Sequence, residues 1–309
     1  MSSRKLNFQS PDFYGASDLI FKDVRRPLSY RGSWVHGIEY AFSNYIDANT
    51  ILHYYEHNLP YHLVNNSYTE NIIKKEGYEG VAVGIPYIYT DYKKETIRSI
   101  DRLYMPSHSI KGVCLVDEYQ NWFDIAHKNQ CSAMCVTKVD FNNILDNRYL
   151  KNRGVELIPG AAVNDRDSLI RMAQLFGQTI EVLSDSFGSH VVYAALSGAS
   201  VRMLTDMKTS QNRRLEIDKK IIETFPIDKR KSMKNYLRGY HQQSEGKLIF
   251  LQGNDKEIKE FSEYAAGVSH KNKVENIQNY LTPKSNLQAL KIMTTNFSLK
   301  LKGRIKKHC

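Results

Sequence analysis

The chain has 309 residues, of which 41% are hydrophobic and 25% are charged, and its formal net charge is +10. This length allows one large or two ordinary domains, and the composition is that of a globular protein able to bury a core. The basic excess indicates an anionic partner, and neither an aromatic-and-basic RNA-binding signature nor a zinc-finger spacing accompanies it. We therefore expect an anionic partner other than a nucleic acid.

Hydropathy along the chain bears on localisation. No window approaches the ~20 apolar residues of a transmembrane helix, and the first residues, M-S-S-R-K-L-N-F-Q-S, contain no apolar signal core. We therefore expect the protein to face the cytoplasm.

The four cysteines do not form a recognisable metal pattern. Cys131 and Cys135 are the only close pair, and no second pair completes a zinc site. Reduced, buried thiols are the favoured interpretation.

The first hundred residues alternate between extended and helical patterns. The predicted elements are a short strand at 18–21, either a loop or a loop leading into a helix at 27–40, a helix or strand at 49–55, a strand at 61–65, a helix at 67–76 and a strand at 81–86. Ser67 and Glu70 have the spacing of a capping box, so we expect Ser67 to cap the helix that follows it. This order predicts one α/β unit.

A second, more regular alternation follows. Strands are predicted at 102–105, 131–136, 155–160, 180–183 and 201–204, with helices at 118–128, 141–151, 167–176 and 189–197 between them. Repeated strand–helix alternation predicts a doubly wound parallel sheet.

The last hundred residues are more charged. Helices are predicted at 210–231 and 256–263, and residues 248–251 read as either an extended run or a helical turn. The tail, residues 285–309, has apolar residues at three- and four-residue steps with basic residues between them, which predicts a basic amphipathic helix. Two interpretations stay open for it: attachment to an anionic membrane surface, which would make the protein peripheral on the inner membrane, or packing across the body of the protein.

Residues 184–190, S-D-S-F-G-S-H, join a predicted strand to a predicted helix. Small residues let an anion approach the free amides at a helix N-terminus, where the helix dipole favours negative charge. The candidate ligand-binding residues of this stretch are Asp185, Ser186, Gly188, Ser189 and His190, and the small residues among them would let an anion approach the backbone.

Two further small-residue loops follow predicted strands. Ser107 and His108 come after the strand at 102–105, and Gly160 comes after the strand at 155–160. Ligands of open α/β sheets bind outside the carboxyl ends of the strands, so we expect these three residues to contribute to the same binding site.

A candidate catalytic pair lies near the N-terminus. His36 can take a proton at neutral pH, and Glu39, three residues later, is placed to orient it or to act as the base itself. Both are predicted to serve an acceptor hydroxyl.

The stretch S-D-S-F-G-S-H-V-V-Y-A-A-L-S-G-A-S-V, at 184–201, resembles the nucleotide-sugar half of bacterial GT-B glycosyltransferases that build capsule and lipopolysaccharide. The resemblance implies two Rossmann-like halves facing a cleft, and a donor phosphate beneath the helix at 189–197. It further implies transfer of a sugar from a nucleotide-sugar donor to a growing surface polysaccharide or a lipid-linked acceptor. The expected division is an acceptor domain at 1–98, a donor domain at 99–284 and the terminal helix at 285–309.

We expect no cofactor and no metal. The chain contains one D-x-D string, Asp165-Arg166-Asp167, of the kind that binds a metal in GT-A glycosyltransferases. Its position, where a loop enters a helix, favours a helix cap instead, and Arg166 would oppose a nearby cation.

Two alternatives stay open. The string Trp34-Val35-His36-Gly37 is similar to one in polymer-forming transferases of this bacterial class, and a His-Gly pair also occurs in teichoic-acid glycerophosphotransferases. The first alternative is therefore a phosphotransferase on the same scaffold. The second is a non-catalytic module that recognises an anionic polymer or membrane.

Overall fold

The computed structural model describes residues 9–38, 48–52, 56–92, 97–106, 118–146, 154–204, 250, 252–285, 288, 292 and 294. The predicted helix at 210–231 and almost all of the predicted elements at 248–251 and 285–309 lie outside these residues. What the sequence predicts for them stays a prediction.

The described strands, in chain order, are β1 (Gly32–Trp34), β2 (Tyr61–Val64), β3 (Gly80–Ala82), β4 (Ile100–Met105), β5 (Ala133–Val136), β6 (Glu156–Pro159), β7 (Thr179–Ser184) and β8 (Ser200–Met203). The described α-helices are α1 (Ala16–Ile20), α2 (Ala48–Ile51), α3 (Ser67–Lys75), α4 (Tyr119–Lys128), α5 (Lys138–Asp146), α6 (Ser168–Gly177), α7 (Ser189–Leu196), α8 (Asp255–Ala266) and α9 (Val274–Leu281). Short 3₁₀ helices occur at Ser10–Gly15, Pro86–Tyr89 and Val268–His270. These strands pair in parallel, so the predicted α/β class is confirmed.

The chain divides into two compact units. Unit 1 comprises Met1–Thr90, Val163–Leu169 and Glu263–Cys309, and unit 2 comprises Asp91–Ala162 and Ile170–Ser262. The domain boundaries at 98 and 284 stay predictions.

Unit 1 is built on a three-stranded parallel sheet in the order β1-β2-β3. Its central strand, β2, is apolar where it is buried: Leu63 and Val64 have no exposed surface. Ile73 of α3 is also fully buried and packs in one cluster with Val64. Burying such aliphatic side chains stabilises the fold by about 1.5–3 kcal/mol each.

The N-cap of α3 lies one residue before the predicted capping residue, Ser67. Asn66, in extended conformation, is the N-cap, and its side-chain oxygen accepts a hydrogen bond from the Thr69 amide at 3.1 Å. Ser67 is therefore the first helical residue and not the cap. Asparagine and serine are similarly good caps, and the sequence offers both in adjacent positions.

Two local predictions in unit 1 are wrong. The predicted strand at 18–21 falls in α1, because Ala16 and Ile20, four residues apart, share one buried helical face. The predicted loop at 27–40 contains β1, whose three residues are all buried. A strand buried on both faces has no apolar–polar alternation, and three residues carry too little pattern to reveal one.

Unit 2 is built on a five-stranded parallel sheet in the order β6-β5-β4-β7-β8. Counting strands from β4, this order is 3-2-1-4-5, which is compatible with a Rossmann-like fold. The doubly wound sheet predicted from the alternation of strands and helices is thus confirmed.

Buried side chains lie on both faces of this sheet. On one face, Trp122 and Phe123 of α4 pack with Tyr104 of β4 and Leu183 of β7. Successive strand residues point to opposite faces, so Leu103 and Val182 point to the other face, and both are fully buried. Val191 and Val192 are buried residues of α7, which contacts β7 and β8.

Candidate functional site

In unit 2 the direction of sheet growth reverses between β4 and β7. The chain builds outward from β4 through β5 to β6, and then returns to place β7 on the other side of β4. Met105 at the end of β4 lies opposite Ser184 at the end of β7. Ligands of open α/β sheets bind outside the carboxyl ends of the strands at such a switch point. The predicted binding residues at 185–190 directly follow β7 and therefore lie at this point.

The N-terminus of α7 has no side-chain cap. The helix begins at Ser189, and its N-cap Gly188 is extended and has no side chain with which to cap the first turn. The amide of Val191 already donates to the Gly188 carbonyl at 3.2 Å. The amides of Ser189 and His190 precede that bond and carry the partial positive charge of the helix dipole. Phosphates bind at this kind of helix start.

The His190 ring lies against Gly188. A β-carbon on Gly188 would stand 3.2 Å from Nδ1 and 3.3 Å from Cε1 of His190. Any side chain at position 188 would therefore press on the imidazole. The structure thus places Gly188, Ser189 and His190 at the start of α7, and their role in binding stays a prediction.

Ser184, which was not among the predicted site residues, forms hydrogen bonds that stabilise this turn. Its hydroxyl lies 2.9 Å from Nε2 of His190 and 2.7 Å from the carbonyl oxygen of Met105. It also accepts a hydrogen bond from the Ser186 amide at 3.2 Å. The buried hydroxyl of Ser184 therefore contacts the end of β4, the turn and His190 in the first turn of α7.

Asp185 has a different environment from the other predicted residues. It is 5% exposed, and its Oδ2 accepts a hydrogen bond from the Tyr104 hydroxyl at 3.2 Å. Tyr104 belongs to the face of the sheet covered by α4, so this carboxylate points away from the α7 face. A carboxylate accepts hydrogen bonds and repels phosphate, so Asp185 suits a hydroxyl or amino group of a ligand better than its phosphates.

Phe187 anchors the turn to the rest of unit 2. It is 9% exposed, and its ring makes an edge contact with Phe250, with the ring centroids 5.4 Å apart. Phe250 in turn makes an edge contact with Phe261 of α8 at 5.9 Å. Aromatic pairs of this geometry add about 0.5–1.5 kcal/mol to the burial of their surface, so the turn is held by packing as well as by hydrogen bonds.

Gly160 does not lie with the residues of the turn. It follows β6, the edge strand, and β5 and β4 separate it from β7, a distance of about 14 Å at the usual strand spacing. A β-carbon there would stand 2.9 Å from the carbonyl oxygen of Val136. This close approach gives a packing reason for the glycine, and its role in binding stays a prediction.

The D-x-D string lies before α6. The Asp165 carboxylate accepts a hydrogen bond from the Asp167 amide at 3.1 Å, and the Ser168 amide donates to the Asp165 carbonyl at 3.4 Å. Arg166 forms an ion pair with Asp18. These bonds are those of a turn entering a helix, as the sequence predicts for this string.

His36 follows β1, at the carboxyl end of the unit 1 sheet. Its Nε2 donates to the Ser10 carbonyl at 2.6 Å, so Nδ1 is the nitrogen that can accept a proton. Aromatic rings surround the imidazole, with centroid distances of 5.6 Å to Phe13, 5.7 Å to Tyr14 and 6.4 Å to Trp34. His36 is partly exposed as a residue, but its Nδ1 atom is buried. Its role as a general base stays a prediction.

Trp34 is the rigid support of that histidine. Its indole N–H donates to the Gly84 carbonyl at 2.9 Å, its amide N–H donates to the Ser10 hydroxyl oxygen at 3.0 Å, and the residue is 1% exposed. The tryptophan of the W-x-H-G string is thus a buried structural residue, and the catalytic role of His36 stays a prediction.

Tyr14, beside His36, has an unusual backbone. Its φ is +56°, a left-handed value that is strained for a bulky residue. Its amide donates to the Val163 carbonyl at 2.9 Å, which holds it in place. Strained residues of this kind cluster at functional sites, and this one contacts the candidate base.

A C-terminal segment covers much of the carboxyl edge of the unit 1 sheet. Asn65, after β2, donates to the carbonyls of Gly37 at 3.0 Å and Ala265 at 3.4 Å. Gly84, after β3, approaches Gly267 so closely that a β-carbon on Gly84 would stand 2.9 Å from the Gly267 carbonyl oxygen. Both glycines have positive φ. The ends of β2 and β3 are therefore occupied, and the end of β1, with His36, is the partly exposed one.

Three predicted site residues lie outside the described residues: Glu39, Ser107 and His108. Their roles stay predictions. Ser107 comes two positions after Met105, the last residue of β4.

Two residues that shape the site were missed. The signal for Ser184 was present, since it is a hydroxyl residue at the end of an otherwise apolar strand. Tyr104 left no such signal, because its partner Asp185 is 81 positions away and only the pairing of β4 with β7 brings them together.

The cysteines behave as buried thiols. Cys131 and Cys135 are free and buried, and desolvation raises the pKa of Cys131 to about 11 and that of Cys135 to about 12. Thiols with such pKa values are poor nucleophiles and poor metal ligands at neutral pH. The predicted buried, reduced state of this pair is confirmed, and Cys114 and Cys309 lie outside the described residues.

Searches for a metal site and for a membrane span gave no candidate in the described ranges. No group of three or more His, Cys, Asp or Glu residues there could hold a metal ion. None of the helices in those ranges has both the length and the apolar character needed to cross a membrane.

Comparison with known proteins gave no relative. No protein-family model matches the chain, and neither a curated protein nor a solved structure matches it.

Proposed function

We propose that the protein is a metal-independent glycosyltransferase of GT-B organisation, with two Rossmann-like halves. It transfers a sugar from a nucleotide-sugar donor to a growing bacterial surface polysaccharide or a lipid-linked acceptor. The donor binds in unit 2 and the acceptor in unit 1. The observation that supports this best is the uncapped start of α7 at the switch point between β4 and β7.

The donor phosphates rest on the first amides of α7. The amides of Ser189 and His190 lie in the positive field of the helix, and Gly188 lets the phosphate approach the backbone. Backbone amides in this position stabilise the negative charge of a departing nucleotide electrostatically, without transferring a proton to it. Asp185, on the other face, receives a hydrogen bond from Tyr104 and is suited to a ligand hydroxyl.

The acceptor hydroxyl loses its proton to His36. Nε2 of His36 donates to the Ser10 carbonyl, so the proton goes to Nδ1. Nδ1 is buried in the structure, so the acceptor reaches it only when the residues around it move. The surrounding rings of Phe13 and Tyr14 give the acceptor sugar flat surfaces to pack against. The basic helix at 285–309 binds an anionic membrane surface, near a lipid-linked acceptor.

The test is ligand-dependent thermal stabilisation with UDP, CMP, GDP and CDP. A ligand at one hundred times its Kd stabilises the folded protein by about 2.7 kcal/mol, which gives a clear rise in melting temperature. We expect one nucleotide to stabilise the wild type and not Gly188→Val. Lys256→Ala serves as the matched control, because its side chain is 84% exposed on α8.

The outcomes separate the candidate functions. If no nucleotide changes the melting temperature, the enzyme proposal is wrong and a binding module is favoured. If CDP-glycerol stabilises the protein and nucleotide sugars do not, the protein is a glycerophosphotransferase. If stabilisation is equal in wild type and Gly188→Val, the nucleotide binds elsewhere.

A further inference from the structure

Through its hydroxyl, Ser184 makes several polar contacts at the switch point. It is fully buried at the end of β7. Its Oγ lies 2.7 Å from the Met105 carbonyl oxygen, 2.9 Å from the Ser186 carbonyl oxygen and 2.9 Å from Nε2 of His190. The Ser186 amide lies 3.2 Å from the same oxygen and donates to it.

The number of available protons restricts these contacts. A serine hydroxyl has one proton and two lone pairs. Both carbonyl oxygens can only accept, so the hydroxyl proton is directed to one of them. If the hydroxyl donated to His190 instead, its lone pairs would face two carbonyl oxygens within 2.9 Å, which is repulsive. The remaining bond must therefore run from His190 Nε2–H to Ser184 Oγ.

From this geometry we infer that Ser184 is a positioning residue, which holds His190 as the Nε2–H tautomer and fixes its ring against Gly188. In the neutral ring Nδ1 then carries the lone pair, on the side where a β-carbon of Gly188 would stand 3.2 Å away. The part of this inference that concerns binding rests on the proposed nucleotide site, whereas the tautomer does not.

The tautomer is measured directly by long-range ¹H–¹⁵N correlation NMR on protein labelled at its 10 histidines, with His190→Gln used to assign the signal. We expect the wild-type ring to be in the Nε2–H form at pH 7.5, and Ser184→Thr, which keeps the hydroxyl, to preserve it. In Ser184→Ala we expect both tautomers. A wild-type His190 in the Nδ1–H form overturns the inference, whatever the variants do.

A double-mutant cycle on nucleotide affinity tests whether Ser184 acts through His190. We expect Ser184→Ala to weaken binding at least tenfold, Ser184→Thr to restore it to within threefold of wild type, and Ser184→Ala/His190→Ala to bind no worse than His190→Ala alone. Losses that multiply in the double variant contradict the positioning role. If the wild type binds no nucleotide, the proposed function fails while the NMR result still decides the tautomer. The NMR result on the wild type decides it equally if Ser184→Ala does not fold.

Discussion

His62 makes the stability of unit 1 depend on pH in a way that can be calculated. It lies on β2 opposite Ser33 of β1, and its Nδ1 is 2.9 Å from the Ser33 hydroxyl. The side chain is fully buried, and its Nε2 has no hydrogen-bond partner among the residues that the structure describes. Desolvation, with a smaller repulsion from His57, lowers the pKa of His62 from 6.5 to about 4.

The sign of the effect follows from proton binding. Between these two pKa values the unfolded chain holds a proton on His62 that the folded protein does not, so stability falls as pH falls. The shift corresponds to a loss of about 2 kcal/mol between pH 7.5 and pH 5.0, and of about 3 kcal/mol once the pH is well below 4. A change of this size is a large part of the stability of a typical domain.

Urea denaturation at the two pH values measures the effect, and the chain supplies a reporter for it. Its two tryptophans are Trp34 in unit 1 and Trp122 in unit 2. In a Trp122→Phe background the fluorescence of Trp34, which is 1% exposed, follows the unfolding of unit 1 alone.

The matched variant is His62→Asn in the same background. Asparagine keeps a polar atom near the position of Nδ1 for Ser33 but cannot take up a proton at pH 5.0. We expect this variant to be less stable at both pH values, because it is smaller, and to lose about 2 kcal/mol less than the parent protein on acidification. Equal losses in the parent and the variant would refute the assignment of a neutral, buried His62.

Three further predictions concern the site and its support. Gly188→Val should weaken nucleotide binding at least tenfold, equivalent to about 1.4 kcal/mol, with Gly188→Ala in between, as measured by isothermal titration calorimetry; unchanged affinity would place the ligand elsewhere. His36→Ala should leave nucleotide affinity within twofold of wild type while slowing sugar transfer about 10²–10⁴-fold, and an active variant would remove His36 from catalysis. Trp34→Phe should lower the free energy of unfolding of unit 1 by about 1–3 kcal/mol, because the Gly84 carbonyl loses its hydrogen-bond donor. Trp122→Phe should lower the stability less, because the Trp122 indole N–H has no hydrogen-bond partner in the described structure. Urea titrations of the two variants give the comparison.

The sequence predicts unit 2 better than unit 1, and the reason is the length of the signals. β7 is six residues long and leads into an eight-residue helix through small residues, so its pattern stands out locally. β1 has three residues and α1 has five. Elements this short are fixed by tertiary contacts, such as the hydrogen bond from the Trp34 indole to Gly84, 50 positions away. Such contacts leave no periodic pattern in the sequence.

The same distinction separates the parts of the site. Gly188, Ser189 and His190 are neighbours in sequence, so a local motif suffices to group them. The contacts that orient them come from β4, which pairs with β7 about 80 positions later. Met105 and Tyr104 therefore enter the site only through the register of the sheet, and no pattern within either strand specifies that register.

The topology of the two sheets also favours unit 2 over unit 1 as the site of the proposed nucleotide binding. In unit 2 the chain reverses between β4 and β7, so the connections leave these strands in opposite directions and open a crevice at their carboxyl ends. In unit 1 the described strands follow one another as β1-β2-β3 without a reversal. Asn65 and Gly84, at the ends of β2 and β3, are in contact with Ala265 and Gly267. Within the described residues, these differences favour the proposal that a nucleotide phosphate binds beside α7 in unit 2, and that an acceptor binds near the partly exposed end of β1 in unit 1.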